Sequence, residues 1–338
     1  MRQIREMDDN IIESVDNERN PMELDTPPRC CVTSPHQFSL KDWWVIGKRS
    51  YAEIDEDNVA IVSAGIAFFS MLAIFPMITA GLSIYGMFAD PVAAQQQLNA
   101  IAEPFPPDVW SLINDQVQSV IGSSNKAIGW KIILGIIASL WASGAGIRAM
   151  VRGLNIAYGE VDRRNVFVKT GMGLIFTLGT VMMMLISLTV IIGVPAALAL
   201  LRFDGEVASL AKILPWSFLL FAFMVGCTIL YRYGPNRRPA KLRWVIPGAI
   251  FATVAWLVIS MCFSKFVSAF GTYNKTYGSL GAVIVLLVWL WLSNFIVMMG
   301  AEINGEMERH TDQDTTRGPD RPIGQRGAAM ADYEARKL

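Results

Sequence analysis

Few side chains of this 338-residue chain are of the kinds that perform catalysis or bind metal ions. The two histidines, His36 and His310, lie near opposite ends of the chain, and neither belongs to an H-x-H-x-D motif. Metal-dependent hydrolysis needs clustered ligands, and metal-free acid–base chemistry needs paired titratable groups in a cleft. The sequence shows neither pattern. We therefore predict that the protein is not an enzyme and that it holds no metal ion and no other cofactor.

The cysteines and the overall charge exclude further classes of function. Cys30 and Cys31 are adjacent in a polar segment, Cys227 and Cys262 lie in apolar segments, and no C-x-x-C pair is present. We infer no disulfide framework and no zinc site, although a vicinal pair can in principle bind a metal. The formal net charge is zero, which predicts no nucleic-acid partner, and no Walker A motif indicates ATP hydrolysis.

Five polar residues within or beside apolar segments are the candidates for a substrate or gating site. Arg148, Arg152 and Asn155 lie at the end of one apolar segment, and Asn294 and Glu302 lie in another. Ionisable groups at membrane depth are costly and commonly functional, and these arginines would suit an anionic lipid headgroup. Glu302 could pair with either arginine. Alternatively, the arginines anchor a helix end by snorkelling, and Asn294 makes a hydrogen bond between helices.

A second polar group, Tyr273, Asn274 and Tyr277, lies between two apolar segments and is bracketed by Gly271 and Gly278. These side chains could shape the exit of a passage. The simpler alternative is that they fix a turn between two helices.

Long apolar segments must position all of these residues. The chain is 53% hydrophobic and only 17% charged, whereas soluble domains carry about 25% charged residues. Six segments reach the length of about 20 residues that a bilayer-spanning helix needs; they are 59–88, 128–149, 167–201, 210–231, 244–270 and 279–303. We predict an all-α, polytopic membrane bundle of six transmembrane helices within residues 39–308.

The basic residues predict how the bundle is oriented. Counted from the N-terminal segment through each break to the C-terminal segment, Lys and Arg number 7, 2, 5, 2, 5, 2 and 6. Because the basic excess marks the cytoplasmic side, this alternation predicts a multi-pass protein of the bacterial inner membrane with both termini in the cytoplasm.

The segments outside the spans suggest three further features. Residues 1–38 and 309–338 are polar and aperiodic, and we expect disordered cytoplasmic tails. Residues 40–57 place Leu40, Trp43, Trp44 and Tyr51 on one stripe, which predicts either an amphipathic interfacial helix or a helix packed on the bundle. The outer loop 90–126 is expected to form periplasmic surface helices, which either cap a cavity or connect two spans.

Four segments resemble one family of bacterial proteins. They are FGTYNKTYGSLGAVIVLLVWLWLS at 270–293, GAEINGEME at 300–308, WASGAGIRAMVRGLNIAY at 141–158 and AFFSMLAIFP at 67–76. Together they resemble the YihY/BrkB family of inner-membrane proteins over roughly residues 40–310. The pair Phe68–Phe69 departs mildly from the family, because many members have a tyrosine-containing pair there.

The resemblance implies an integral inner-membrane protein without a settled activity. Members have been labelled ribonuclease BN or virulence factors, and the YhjD-like branch is associated with transport of envelope lipids or lipopolysaccharide precursors. We expect a protein that moves or helps to export a lipid-like envelope component without its own ATPase. Membrane lipids, an envelope-lipid substrate and a homo-oligomer are the expected partners.

The alternative is a scaffold or assembly factor of the envelope. A transporter should have a cleft lined by Arg148, Asn294 and Glu302, whereas a scaffold should be packed solid. Ribonuclease activity is disfavoured, because the sequence shows no clustered ligands or paired acid–base groups.

Overall fold

A computed structural model describes residues 32–86, 129–200, 206–269 and 279–332. These ranges contain seven α-helices. Their only β-type pairing is an isolated bridge between Ala240 and Thr316. The helices are α1 (Leu40–Glu56), α2 (Val59–Gly86), α3 (Gly129–Ala157), α4 (Val166–Leu200), α5 (Glu206–Tyr233), α6 (Leu242–Ala269) and α7 (Ser279–Arg309). The predicted all-α class is thus confirmed for the described part of the chain.

Helices α2 to α7 coincide with the six predicted spans. By length and apolarity, four described stretches could cross a membrane: Val166–Ile191, Leu214–Tyr233, Leu242–Val267 and Val283–Arg309. A fifth is added if the bent pair Leu40–Glu56 and Val59–Ile74 is one span. The protein is therefore a helical membrane protein, and the count of six spans stays a prediction.

The helices α2, α3, α6 and α7 approach one another closely at small residues. A Cβ atom at Gly146 of α3 would lie 3.0 Å from the Cα of Ser70 in α2. A Cβ atom at Gly248 of α6 would lie 2.1 Å from the carbonyl oxygen of Gly300 in α7. Such contacts bring helix backbones together where lipid supplies no hydrophobic drive.

Helix α1 begins with a capping box. The Ser39 hydroxyl accepts a hydrogen bond from the Asp42 N–H at 3.3 Å, and the Asp42 carboxylate accepts one from the Ser39 N–H at 2.7 Å. Ile46 of α1 is buried near the end of α7, while Trp44 is 71% exposed. The predicted helix is present, and its location at a membrane surface stays a prediction.

The main core lies at one end of the bundle. This end, which we call the tail-covered end, is formed by the first residues of α2, α4 and α6 and the last residues of α3, α5 and α7. Leu154, Tyr158, Tyr231, Val245 and Met298 are fully buried there. Residues 310–332 pack over this end, and Met330 belongs to the same core.

The prediction that residues 309–338 form a disordered tail is wrong for Arg309, which ends α7, and for residues 310–332. The N–H groups of Arg238 and Lys241, in the connection between α5 and α6, donate to the carbonyls of Gly327 and Thr315 at 2.9 and 2.8 Å. The buried guanidinium of Arg326 donates to several tail carbonyls, including that of Ala331 at 3.1 Å. Irregular hydrogen bonds, both backbone–backbone and side chain-to-backbone, hold this aperiodic segment, and they leave no periodic signature in a sequence.

Disorder was also predicted for residues 1–38. Residues 32–38 instead have defined structure, with a short 3-10 helix at Pro35–Gln37 and a buried Phe38 ring 6.0 Å from that of Trp244. Residues 1–31 and 333–338 lie outside the described residues, as does the whole outer loop 90–126 with its predicted surface helices.

Candidate functional site

The side chain of Arg148 lies in a narrow space between α3 and α4 that two glycines keep open. A Cβ atom at Gly144 would lie 2.6 Å from Nη1 of Arg148, and one at Gly173 would lie 3.1 Å from its Cγ. The guanidinium lies 3.4 Å from the carbonyl oxygen of Trp141 and 5.9 Å from the centre of its ring. The glycines therefore hold a cation beside an indole that is 58% exposed.

Arg148 forms part of a small, open cleft where α3 ends and α4 begins. Four basic residues, one acidic residue and three uncharged residues line it: Arg148, Arg152, Arg164, Lys169, Asp162, Val151, Met172 and Gly173. Because the basic side chains outnumber the single carboxylate, the cleft attracts anions.

Two of the four basic residues are engaged by the protein itself. Lys169 lies 3.4 Å from the Asp162 carboxylate. Arg164 donates hydrogen bonds of 2.8 and 2.6 Å to two carbonyl oxygens in the connection between α5 and α6. Within the described residues, neither Arg148 nor Arg152 has a carboxylate partner. These two arginines are therefore the cations of the cleft that an external anion can neutralise.

Asn155 does not line the cleft and instead joins two connections between helices. Its side-chain oxygen accepts a hydrogen bond of 2.7 Å from the backbone N–H of Asn236. The Asn236 amide in turn donates to the carbonyl of Val161 at 3.0 Å. These bonds fasten the connection between α5 and α6 to the connection between α3 and α4. Asn155 thus positions the loop that carries Arg164.

Asn294 is also separate from the cleft. It is buried in α7, and its amide donates to the carbonyl of Leu290 in the same helix at 2.7 Å. This is an intrahelical bond, not the bond between helices that the sequence suggested. Tyr273, Asn274 and Tyr277 lie outside the described residues.

Glu302 is buried against α1 and α2, and none of the ion pairs that the structure describes joins it to Arg148 or Arg152. Only 1% of Glu302 is exposed. Its Oε1 atom has no hydrogen-bond partner among the described residues. Asp57, at the junction of α1 and α2, is close enough to interact with it electrostatically. Burial, reinforced by the negative charge of Glu53, raises the pKa of Asp57 to about 6.

Sequence reasoning missed an ion pair in the tail-covered end. Arg237 and Glu308 form two hydrogen bonds of 2.9 and 2.8 Å, and neither side chain is exposed. Thr315 donates to the same carboxylate at 2.8 Å, and the guanidinium lies 4.0 Å from the centre of the Tyr158 ring. Burial alone would lower the pKa of Arg237, but the Glu308 carboxylate raises it overall. The only sequence signal was a basic residue near a span end, which snorkelling equally explains.

Among the described residues, no group of three or more His, Cys, Asp or Glu side chains is placed to hold a metal ion. His310 instead lies 3.3 Å from the Asp42 carboxylate and packs against the Phe38 ring.

Comparisons with known proteins place the chain among membrane proteins. Residues 50–323 match the family model described as Virulence factor BrkB. The chain is 30% identical over 261 residues to the ribonuclease-like protein YfkH of Bacillus subtilis, covering 73% of this chain and 89% of YfkH. It is 26% identical over 279 residues to a UPF0761 membrane protein of Pseudoalteromonas translucida, covering 81% of this chain and 88% of that protein. No solved structure matches the chain.

Proposed function

Because the chain belongs to the virulence factor BrkB family of membrane proteins, we propose that it moves, or helps to export, an envelope lipid with an anionic headgroup. It does so in the bacterial inner membrane and without an ATPase of its own. The observation that carries this proposal is the basic cleft between α3 and α4, in which Arg148 and Arg152 have no carboxylate partner among the described residues.

The proposed topology has six spans, α2 to α7, with both termini in the cytoplasm. These helices are 28 to 35 residues long, which exceeds the roughly 20 residues that a span requires. The tail-covered end, with its basic connections, then faces the cytoplasm. Helix α1 lies at the membrane surface, where its exposed Trp44 suits the headgroup region.

The chemistry of the cleft fits a lipid better than a soluble anion. Guanidinium groups bind phosphate through paired hydrogen bonds, which suits Arg148 and Arg152 to a phosphorylated headgroup. Trp141, beside Arg148, is more than half exposed and amphipathic. Exposed apolar side chains of α3 and α4, such as Ile137 and Ile175, provide a surface for acyl chains. The headgroup would thus sit at the cytoplasmic end while the chains stay in the bilayer.

A scaffold or assembly role is the second candidate. Asn294 and Glu302 are buried away from the cleft, so the cleft does not continue along α7 as the transport hypothesis expected. The close packing of residues 310–332 on the bundle also suits a static platform. Both proposals, lipid transport and the scaffold role, treat the protein as a non-enzyme. The term ribonuclease-like is part of the name of the relative YfkH.

The test uses the purified full-length protein in vesicles that contain fluorescently labelled anionic phospholipid and glycolipid. We expect faster lipid movement between leaflets than in protein-free vesicles, and loss of that movement in the variant R148Q/R152Q. The matched control is R163Q, because Arg163 is exposed in the same connection but does not line the cleft.

Three results would contradict the proposal. Lipid movement no faster than in protein-free vesicles rejects transport of these lipids. Equal movement by R148Q/R152Q and the unmodified protein rejects the cleft as the site. Binding of the labelled lipids without movement favours the scaffold role instead.

A further inference from the structure

Residues 310–332 contact the connections from which part of the basic cleft is built. Asp162 and Arg164, two of the residues that line the cleft, belong to the connection between α3 and α4. No residue of the segment 310–332 lines the cleft itself. Any effect of this segment on the cleft must therefore act through the connections.

The later part of the segment is fastened to the α3–α4 connection. The N–H of Ala329 donates to the Glu160 carboxylate at 2.6 Å. At Gly159, which has a φ of 58°, a Cβ atom would lie 3.8 Å from that of Ala329 and 3.6 Å from Cε of Met330. Met330 is buried, so its side chain packs against this turn away from solvent. The segment thus covers the turn that leads to the residues lining the cleft.

The segment is also fastened to the connection between α5 and α6. Three backbone hydrogen bonds of 2.8 to 2.9 Å join the two, and they pair Arg238 with Gly327, Lys241 with Thr315 and Arg317 with Pro239. The same connection accepts, at the carbonyls of Gly234 and Pro235, the hydrogen bonds that Arg164 donates at 2.8 and 2.6 Å. Residues 310–332 and Arg164 therefore hold the two connections together at different points.

Polar contacts provide most of the attachment of this segment to the bundle. Its buried apolar side chains are those of Ala328, Met330 and Ala331, of which only Met330 is large. Parts of a protein with few buried apolar contacts open at lower free energies than core helices do. We therefore expect residues 310–332 to undock while the helices stay folded.

We propose that residues 310–332 are a clasp that holds the α3–α4 and α5–α6 connections in the arrangement that binds a lipid headgroup, and that undocking of the clasp weakens this binding. The control of lipid movement rests on the proposed function, whereas the coupling between the clasp and the α3–α4 connection does not. Such coupling is reciprocal, so a headgroup bound in the cleft should stabilise the docked clasp.

Arg326 allows the clasp to be disturbed without a change in either connection. Its buried guanidinium donates to the carbonyls of Gln313 and Ala331 at 3.2 and 3.1 Å, and also to those of Asp312 and Arg321. All four acceptors lie within the clasp. The variant R326Q should therefore loosen the clasp, and the α3–α4 connection can respond only through its coupling to the clasp.

Hydrogen exchange of residues 158–165 tests this coupling in the full-length protein, in nanodiscs of phosphatidylcholine. We expect exchange there to be faster in R326Q than in the unmodified protein, by on the order of tenfold, within the usual range of coupling between sites. R317Q is the matched control, because the Arg317 side chain is exposed and its bond to Pro239 is made by the backbone N–H. Faster exchange in the clasp without faster exchange in residues 158–165 refutes the coupling.

A disulfide can lock the clasp in its docked position. The distance of 3.8 Å between a Cβ atom at Gly159 and that of Ala329 suits a disulfide. The variant G159C/A329C is combined with R326Q in a protein whose four native cysteines are replaced by alanine. Cysteine is strained at the positive φ of Gly159, but the oxidised and reduced forms share that strain.

Oxidation should slow the exchange of residues 158–165 in this combined variant, and reduction should make it fast again. Comparison of the two forms isolates the effect of docking, since their sequences are identical. Fast exchange in the oxidised form, with the cross-link verified by mass spectrometry, refutes the coupling. A cross-link that does not form contradicts the contact between Gly159 and Ala329.

Movement of labelled phosphatidylglycerol in vesicles tests the control of the cleft. We expect slower movement with R326Q than with the unmodified protein, no change with R317Q, and recovery in the oxidised combined variant. Reciprocity gives a second measurement that needs no change in the clasp. Phosphatidylglycerol in the nanodiscs should slow exchange of residues 310–332 in the unmodified protein but not in R148Q/R152Q.

Failure of the clasp and failure of the proposed function give different results. Unchanged lipid movement in R326Q, together with its loss in R148Q/R152Q, overturns control by the clasp and leaves the lipid cleft in place. No movement with the unmodified protein overturns the proposed function and control of lipid movement with it. Exchange of residues 158–165 then still decides whether the clasp holds the α3–α4 connection.

Discussion

Replacing Arg237 by methionine tests the buried ion pair that joins the α5–α6 connection to the end of α7. The variant R237M removes hydrogen bonds of 2.9 and 2.8 Å and leaves Glu308 with the Thr315 hydroxyl as its described donor. Hydrogen bonds to charged groups contribute about 1.5–3 kcal/mol each. Removing one partner of a buried pair costs about 3–5 kcal/mol, since the remaining charge stays desolvated. We expect a loss within that range.

The measurement is the free energy of unfolding in detergent micelles, monitored by tryptophan fluorescence during denaturant titration. The companion variant R237M/E308M removes both charges and replaces them with apolar volume. Because it leaves no unpaired charge, it should be more stable than R237M. The matched control is R163Q, which alters an exposed arginine.

Two outcomes would refute this reasoning. A loss below about 1 kcal/mol in R237M is typical of an ordinary substitution and would mean that the pair is hydrated rather than buried. A double variant less stable than R237M would mean that the two charges do not compensate each other.

Three further predictions concern packing and pH. G248A should lower stability by about 1–3 kcal/mol in the same titration, because its Cβ would lie 2.1 Å from the Gly300 carbonyl oxygen; unchanged stability would mean that α6 and α7 are further apart. M330A should lower the free energy of unfolding by about 2–5 kcal/mol and speed proteolysis of residues 310–332, because Met330 is only 3% exposed. An unchanged cleavage rate would contradict the docking of this segment. Although burial opposes it, hydrogen bonds from Thr316 keep the pKa of Asp314 below its usual value. The Asp314 carboxylate should therefore stabilise the docking of residues 310–332 fully above pH about 4 and lose that contribution at lower pH. Proteolysis of this segment with an acid protease between pH 3 and 6 would detect the loss.

The positions of the long helices could be predicted from the sequence because length and apolarity are local properties. Each of the six apolar segments coincides with one helix, from α2 to α7. The two arginines of the cleft were also recognisable, since Arg148 and Arg152 follow an apolar run that ends on the basic side. What the sequence could not show is that Gly144 and Gly173, on different helices, leave room for the Arg148 side chain.

Partners distant in the chain were not predictable. The sequence suggests that Glu302 pairs with an arginine of α3, but none of the described ion pairs joins them. The charged groups that influence Glu302 are instead those of Asp57 and Glu53 near the bend between α1 and α2. The pairing of Arg237 with Glu308 likewise depends on how α5, α6 and α7 pack. The structure of residues 310–332 is not predictable from periodicity, because Arg326 and Asp332 hold the segment through hydrogen bonds to backbone groups.

The docking of residues 310–332 has a consequence for biogenesis. Translation runs from the N-terminus, so this segment leaves the ribosome only after α7, when the apolar segments have already been synthesised. Until then Arg237 lacks Glu308, and the site that receives Met330 is empty. A truncated product that ends before Thr311 would contain every apolar segment and still expose that site. Docking of residues 310–332 can therefore distinguish chains that contain this segment from chains that end before it.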